Sequence, residues 1–320
     1  MKKKVVVIGG GNGSAIALVA LKRYAELFDI SAVISMSDST GSSGRLRDEL
    51  GALPPGDIMR SVLALSRYNY RLLKKIFYTT RFEGAEKLGG HNIGNLFLSL
   101  SASHGGNFMD AVKAFGQGLA VVGQSYPSTL DSTDLVAELS NGEIVRTEGS
   151  IDRPKYDRSL KIKRLWLEPE GKAYPEAVRS ITEADWILLS PGDLYTSVVA
   201  ALLPKGIREA IDKSKARLIY IAGNARHEDG ATGPETLSGF VAALENYLPR
   251  PIDTILYCDH KQTEAEKEFY ARKKWKIFPF DVENLPGRDV RGCDFERDGG
   301  GLSSVKLGRL LKEMIENDQT

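Results

Sequence analysis

KVVVIGGGNGS, residues 4–14, is the stretch on which the fold turns. Lys4 to Ile8 is a continuous apolar run rich in β-branched residues, as expected of a parallel strand covered on both faces. GGGNGS follows at once, and from Ala15 to Leu27 the apolar positions Ile16, Val19, Ala20 and Tyr24 recur at helical spacing. ISAVISM, residues 30–36, reads as a second strand and completes a βαβ unit. A glycine turn that opens a helix leaves backbone N–H groups unpaired, and with the helix dipole they favour an anion. Gly10, Gly11, Asn12 and Gly13 are therefore candidate ligand contacts. The dinucleotide fingerprint is imperfect: with Gly9 and Gly11 as its first two glycines, Ser14 stands where the third belongs.

Beyond the second strand, SMSDSTGSSGRLRDELGALPPGD (35–57) shows no apolar period and reads as a loop around a phosphate-bearing ligand. Asp38 lies where a Rossmann carboxylate meets a ribose hydroxyl. Ser42, Ser43 and Arg45 offer hydroxyls and a guanidinium to phosphate oxygens. Residues 57–67 and 70–77 read as helices, with Asp57 as N-cap of the first, and 97–121 as two more separated by Gly105 and Gly106. GGHNIGN (89–95) sets His91 and Asn92 before an apolar helix, with His91 as donor or proton carrier and Asn95 beside it. LVAEL-SNGE-IVRTE (135–148) alternates around Asn141-Gly142 and predicts a hairpin.

The α/β rhythm then resumes. KIKRLWLEP (161–169) reads as a strand, WILLSPGDLYTSVVAALL (186–203) as strand, turn and helix, and RLIYIAGN (217–224) as a strand ending at Asn224. TILYCD (254–259) is taken as the last core strand, 261–273 as a charged helix, 283–301 as a Gly- and Arg-rich loop and 304–317 as a closing helix. Open α/β sheets bind ligands at the carboxyl ends of their strands. Ser190, Thr196, Ser197 and Asn224 therefore join the candidate rim. The expectation is one Rossmann-like, doubly wound, mostly parallel α/β sheet with a hairpin insertion at about 134–150, forming a single domain over 1–320.

Composition narrows the function. Of 320 residues, 43 are Lys or Arg and 42 are Asp or Glu, so no overall field draws the chain to nucleic acid and any basic site is local. The two cysteines, Cys258 and Cys293, lack the CxxC spacing of a zinc or redox site and suit a reducing cytosol. Four apolar residues after Lys2–Lys4 are too few for a secretory or membrane segment, so the expectation is a cytoplasmic protein with no membrane insertion. No nucleophile elbow, Walker A loop or HExxH pattern occurs, and no dedicated metal site is visible; magnesium stays open as a companion of phosphates, with Asp38 as its one candidate carboxylate.

GGGNGS, then SDSTGSSGRLRDELGALPPGD, then GGHNIGNL, the hairpin, LSPGDLYTS and a strand ending in Asn224 together resemble the CofD-like family, over roughly residues 4–250, and within it the gluconeogenesis factor (YvcK-like) branch. The resemblance implies a Rossmann-like core that binds a nucleotide sugar, particularly UDP-N-acetylglucosamine, with a role in carbon metabolism, cell-wall growth and cell shape, and a homodimer. In that reading Gly10, Gly11 and Gly13 meet the phosphates, Asp38 a ribose or a metal-bound water, and Ser42, Ser43 and Arg45 the pyrophosphate. His91, Asn95, Ser190, Thr196 and Asn224 line the remaining wall. The more distant relative, 2-phospho-L-lactate transferase, implies instead an enzyme that forms a phosphodiester on a deazaflavin, with Asp38 aligning a metal and His91 moving a proton. A second alternative, a NAD-binding redox protein, rests on the first βαβ unit alone. The chain departs from the branch where Ser39-Thr40 replaces an aspartate and a glycine, at Asn92, at ARHEDGATGPET (225–236), and over a divergent C-terminal extension, 251–320.

Overall fold

The computed structural model describes residues 1–84 and 87–317. In chain order the strands among them are β1 (Lys3–Gly9), β2 (Phe28–Ile34), β3 (Gly123–Pro127), β4 (Asp134–Leu139), β5 (Ile144–Arg146), β6 (Ile162–Glu168), β7 (Trp186–Leu189), β8 (Arg217–Ile221), β9 (Ala225–His227), β10 (Thr254–Cys258), β11 (Trp275–Ile277) and β12 (Val290–Cys293). Seven form one sheet in the order β12-β10-β8-β7-β1-β2-β3, and every pairing in it is parallel.

β1 explains why the sheet has two covered faces. Successive side chains of a strand point to opposite sides, and accordingly Val5 and Val7 belong to one hydrophobic cluster while Val6 and Ile8 belong to the other. All four are buried, each contributing about 1.5–3 kcal/mol. On the first face lie α1 (Gly11–Lys22), α3 (Gly56–Leu65) and the closing helix Ser304–Asn317. The second face carries the helical segment after β7, the helix Leu237–Glu245 and a three-stranded antiparallel sheet in the order β5-β4-β6.

Strand order reverses at β1, which pairs with β2 on one side and β7 on the other. A crevice opens at the carboxyl ends of two strands whose connections leave in opposite directions. The ends concerned are Gly9 and Leu189.

Several boundaries differ from the sequence expectation. The stretch 35–57 is not one loop: GSSGRLRDEL folds as α2 (Gly41–Leu50), with Thr40 at its N-cap. Its polar residues obscured it because Ser42, Ser43 and Gly44 are buried against the rim and not against the core. Pro55, not Asp57, occupies the N-cap position of α3, and Asp57 lies in its first turn. The segment 70–77 is helical only to Leu73 before a π-helical turn over Lys74–Thr79. KIKRLWLEP pairs with the hairpin strand β4 and stays outside the large sheet. β10 is not the last core strand, since β12, inside the expected loop, pairs with it from Ile255↔Val290 to Cys258↔Cys293. β3, at the other edge, was not anticipated; GQSYP has no apolar run to announce it.

Candidate functional site

The glycine turn is shaped by contact as well as by conformation. A Cβ on Gly13 would lie 1.6 Å from the Pro191 carbonyl oxygen, so α1 can pack against the turn after β7 only if that residue is glycine. Gly13 thus does the close-packing job that the fingerprint gives its third glycine. Gly11 has φ +63° and its N–H donates to Asp57 Oδ2 at 2.8 Å. The amide that would meet a phosphate is already satisfied by a carboxylate.

Asp57 lies at the centre of a polar cradle. Its other oxygen is 3.4 Å from an Arg60 nitrogen, and both side chains are largely buried. Arg60 also donates to the Tyr78 hydroxyl and stacks 4.3 Å from that ring's centroid. Burial pushes the Asp57 carboxyl up, Arg60 opposes the shift, and the Asp38 charge adds to it. Glu148, beyond the hairpin, reaches the same place: its carboxylate accepts from Ser39 N at 3.4 Å. Burial first, then the charges of Asp38 and Asp152, raise it from 4.5 to about 8. Asp57 and Asp38 thus share the Arg60 charge, while Glu148 adds a third carboxyl that Arg60 does not reach. Among the described residues no group of three or more His, Cys, Asp or Glu is arranged to hold a metal ion unaided.

α2 supplies the cradle's second wall. Asp38 Oδ1 accepts from Thr40 N and Thr40 Oγ1, both at 3.0 Å, and so closes an Asx turn into the helix. Ser42 Oγ lies 2.9 Å from His91 Nδ1, and Asn95 Nδ2 donates to Ser43 Oγ at 3.4 Å. Asn92 caps the helix Ile93–Gly105 by accepting from Asn95 N at 2.7 Å. His91 is buried, and burial together with Arg45 lowers its pKa, so the imidazole is neutral near pH 7. Arg45 itself donates to the Gly89 carbonyl at 2.9 Å and closes the cradle's rim.

Beside the cradle a cleft of about 1130 Å³ opens along the carboxyl ends of β1, β7 and β8. Asn12, Gly13, Ser197 and Asn224 line it. So do cationic Arg71, Lys74, Arg153, Arg226, Lys274 and Arg297, and aromatic Tyr70, Tyr220, Phe240, Phe269, Trp275 and Phe278. Lys74 Nζ donates to Asn12 Oδ1 at 2.8 Å; burial and Arg60 lower its pKa. Asn224 is held from behind by a buried network: its Nδ2 donates to Tyr270 Oη at 2.5 Å and to Glu296, while Tyr270 Oη and Gly301 N donate to Glu296 at 2.6 and 2.7 Å. A smaller recess near Arg217, Arg250 and Asp253 lies at the amino ends of the strands; there Arg217 pairs with Asp289 and Arg250 with Asp253.

The expected site residues therefore fall into two neighbouring groups. Asp38, Ser42, Ser43, Arg45, His91 and Asn95 gather in the cradle; Asn12, Gly13, Ser197 and Asn224 face the cleft; Gly10 and Gly11 lie at the seam between Asp57 and Ser197. Thr196 donates to Asp193 Oδ1 at 3.0 Å within a turn, and Ser190 Oγ is buried behind Gly9 with no hydrogen-bond partner. Arg60, Lys74, Glu148 and the wall formed by Arg226 and Trp275 were missed. Lys74 had a readable signal, since it stands four residues from both Tyr70 and Tyr78, on one face of a helix; Glu148 reaches the site only through the tertiary fold.

An open doubly wound sheet with a polar cleft at its reversal point defines the class, and comparison with known proteins places the chain within it. Residues 5–294 match the family model described as 2-phospho-L-lactate transferase CofD, so the chain belongs to the CofD family. A relative named gluconeogenesis factor from Halalkalibacterium halodurans is 39% identical over 90% of this chain and 88% of its own length. The Bacillus subtilis protein of the same name is 36% identical over 89% and 87%. A crystal structure of a Bacillus halodurans protein superposes with a TM-score of 0.88 at 35% identity, covering 99% of this chain and 100% of that one. The chain is thus of the gluconeogenesis factor type. Among the described residues no helix is long and apolar enough to cross a membrane.

Proposed function

We propose that this chain binds a nucleotide sugar of the UDP-N-acetylglucosamine type at the carboxyl rim and acts as a cytoplasmic, ligand-responsive regulator of carbon metabolism, cell-wall synthesis or cell shape. The observation that carries the reading is the cleft beside the glycine turn, which cationic and aromatic side chains line together with Asp152, Asp193 and Asp229. Lys74, Arg71 and Arg226 suit a diphosphate, and the aromatic wall suits a base and the apolar face of a sugar. Magnesium would enter only with the diphosphate and not as a resident ion, since Asp57 is already engaged by Gly11 N and Arg60 and Asp38 Oδ1 by Thr40. Calorimetric titration with UDP-N-acetylglucosamine, with and without Mg²⁺, tests it: saturable binding is expected, weakened tenfold or more in Lys74→Ala. Absence of heat with the wild-type chain removes the reading.

One observation favours a second reading, a phosphodiester-forming transferase. Glu148, raised to about 8 beside Asp38, is the kind of perturbed carboxyl that proton transfer employs, and His91 is buried nearby as a neutral acceptor. Formation of a phosphodiester on a deazaflavin acceptor, lost in Glu148→Gln, would favour it over the regulator.

A further inference from the structure

Asn224, just beyond β8, lines the cleft although only 5% of it is exposed. Its backing comes from the C-terminal segment: Tyr270 from the helix Glu264–Arg272 and Glu296 from the stretch after β12, both buried. Four donors converge on the Glu296 carboxylate. Tyr270 Oη and Gly301 N reach Oε1, at 2.6 and 2.7 Å, while Asn224 Nδ2 and Cys258 Sγ reach Oε2. Burial raises the carboxyl's pKa, and the Tyr270 and Gly301 donors oppose the rise. Because the Tyr270 proton is directed at Glu296, the Tyr270 oxygen can only accept from Asn224 Nδ2, which donates to it at 2.5 Å. Both groups behind Asn224 are therefore acceptors, and the amide can turn only its NH₂ towards them. The reverse orientation would set Oδ1 against a carboxylate. Among the described residues Oδ1 has no hydrogen-bond partner and is not sealed in the interior, so it stands as an acceptor on the cleft.

We infer that Glu296 is a positioning residue that fixes the Asn224 amide with Oδ1 towards the ligand, and that this lone acceptor selects a uracil-type base through its imide N3–H. The inference rests on the nucleotide-sugar reading of the cleft and adds the base that the cleft accepts. Phe269 and Trp275, edge to face with centroids 6.0 Å apart, line the same cavity and offer faces on which a pyrimidine can stack. Cytosine carries an acceptor at N3, so it would set two lone pairs against each other at the same place. A site built to receive an N–H rejects the analogue that lacks it, because its own polar group is then left unpaired. The C-terminal extension thereby acquires a role: it supplies the two groups that orient a rim residue just beyond β8.

Calorimetric titration of the full chain with UDP, CDP and N3-methyl-UDP tests it, with UDP-N-acetylglucosamine as the reference. The wild type is expected to bind UDP at least about tenfold more tightly than CDP or N3-methyl-UDP. Glu296→Gln gives the sharper readout. With Tyr270 and Gly301 still donating to its oxygen, the new amide turns its NH₂ to Asn224, which must flip and present Nδ2 to the cleft. The ratio of UDP to CDP affinity should then move at least about tenfold towards CDP, whereas a loss of packing alone would weaken both nucleotides together. If UDP-N-acetylglucosamine binds the wild type while UDP and CDP do not differ, the inference falls and the nucleotide-sugar reading stands. If none of the four binds, both fall. A folded Glu296→Gln that keeps the wild-type ratio overturns the inference equally, and the wild-type series decides it should that variant fail to fold.

Discussion

The cradle and the cleft wall lie side by side but are built differently. The cradle assembles from two neighbouring stretches, 38–60 and 89–95, plus Glu148, and its polar groups mostly satisfy one another: Ser42 with His91, Ser43 with Asn95, Asp57 with Gly11. The far wall draws on 224–227, 269–278 and 297–305, and its long cations are held by nearby acceptors, Lys274 by Asp229, Arg226 by Glu235 and Arg297 by the Gly300 carbonyl, beside the rings that line the cleft. A cradle of short buried contacts fixes one constant group, whereas a wall of long side chains held by exposed pairs can re-pair around the ligand. Of the departures that the sequence resemblance suggests, 225–236 falls in that wall, whereas Ser39-Thr40 and Asn92 fall in the cradle.

The largest expected effect concerns the seam between them. Gly13→Val places a side chain where the Pro191 carbonyl already lies, and overpacking of that severity should cost about 3 kcal/mol or more, with loss of the cooperative thermal transition as the readout. A variant that folds normally would break the claim that both regions hang on this contact.

Next comes Glu148. A carboxyl raised from 4.5 to about 8 holds its proton more tightly in the folded state than in the unfolded one. Its stabilising contribution is complete below pH 4.5 and fades as the pH rises through about 8. Glu148→Gln should flatten the decline in denaturation midpoint across that window, by up to a few kcal/mol at the alkaline end. Urea titrations at pH 5 and pH 9 measure it, and equal slopes in both proteins would mean that the cradle does not strain this group.

The smallest effect separates the two regions most sharply. Arg45 closes the cradle's rim on Gly89, while Lys74 stands in the cleft. Arg45→Ala should therefore weaken nucleotide-sugar binding less than tenfold, against the larger loss in Lys74→Ala. The reverse ranking by calorimetry would return the diphosphate to the cradle.

The same contrast governs how much the sequence disclosed. KVVVIGGGNGS announced the reversal strand and its turn because local periodicity and glycine spacing are local physics. The cradle was legible as residue types, although its form as a helix was hidden by serines that face a polar site instead of the core. β12 escaped notice because VRGC is a short edge strand of mixed polarity. Trp275 and Arg226 sit on β11 and β9, three residues each, paired antiparallel; such short elements exist only by virtue of the fold around them.

The pairing of β1 with β7, in register from Val5↔Trp186 to Ile8↔Leu189, has a consequence for synthesis. The first strand leaves the ribosome long before its central neighbour is translated, an interval on the order of ten to forty seconds at about 5–20 residues per second. Meanwhile β2 can cover one edge of β1, but the other edge and the glycine turn stay open to solvent and to chaperones. A nascent chain released before residue 189 therefore carries the phosphate-type turn without the partner strand that completes it, and quality control has a defined, apolar edge to recognise.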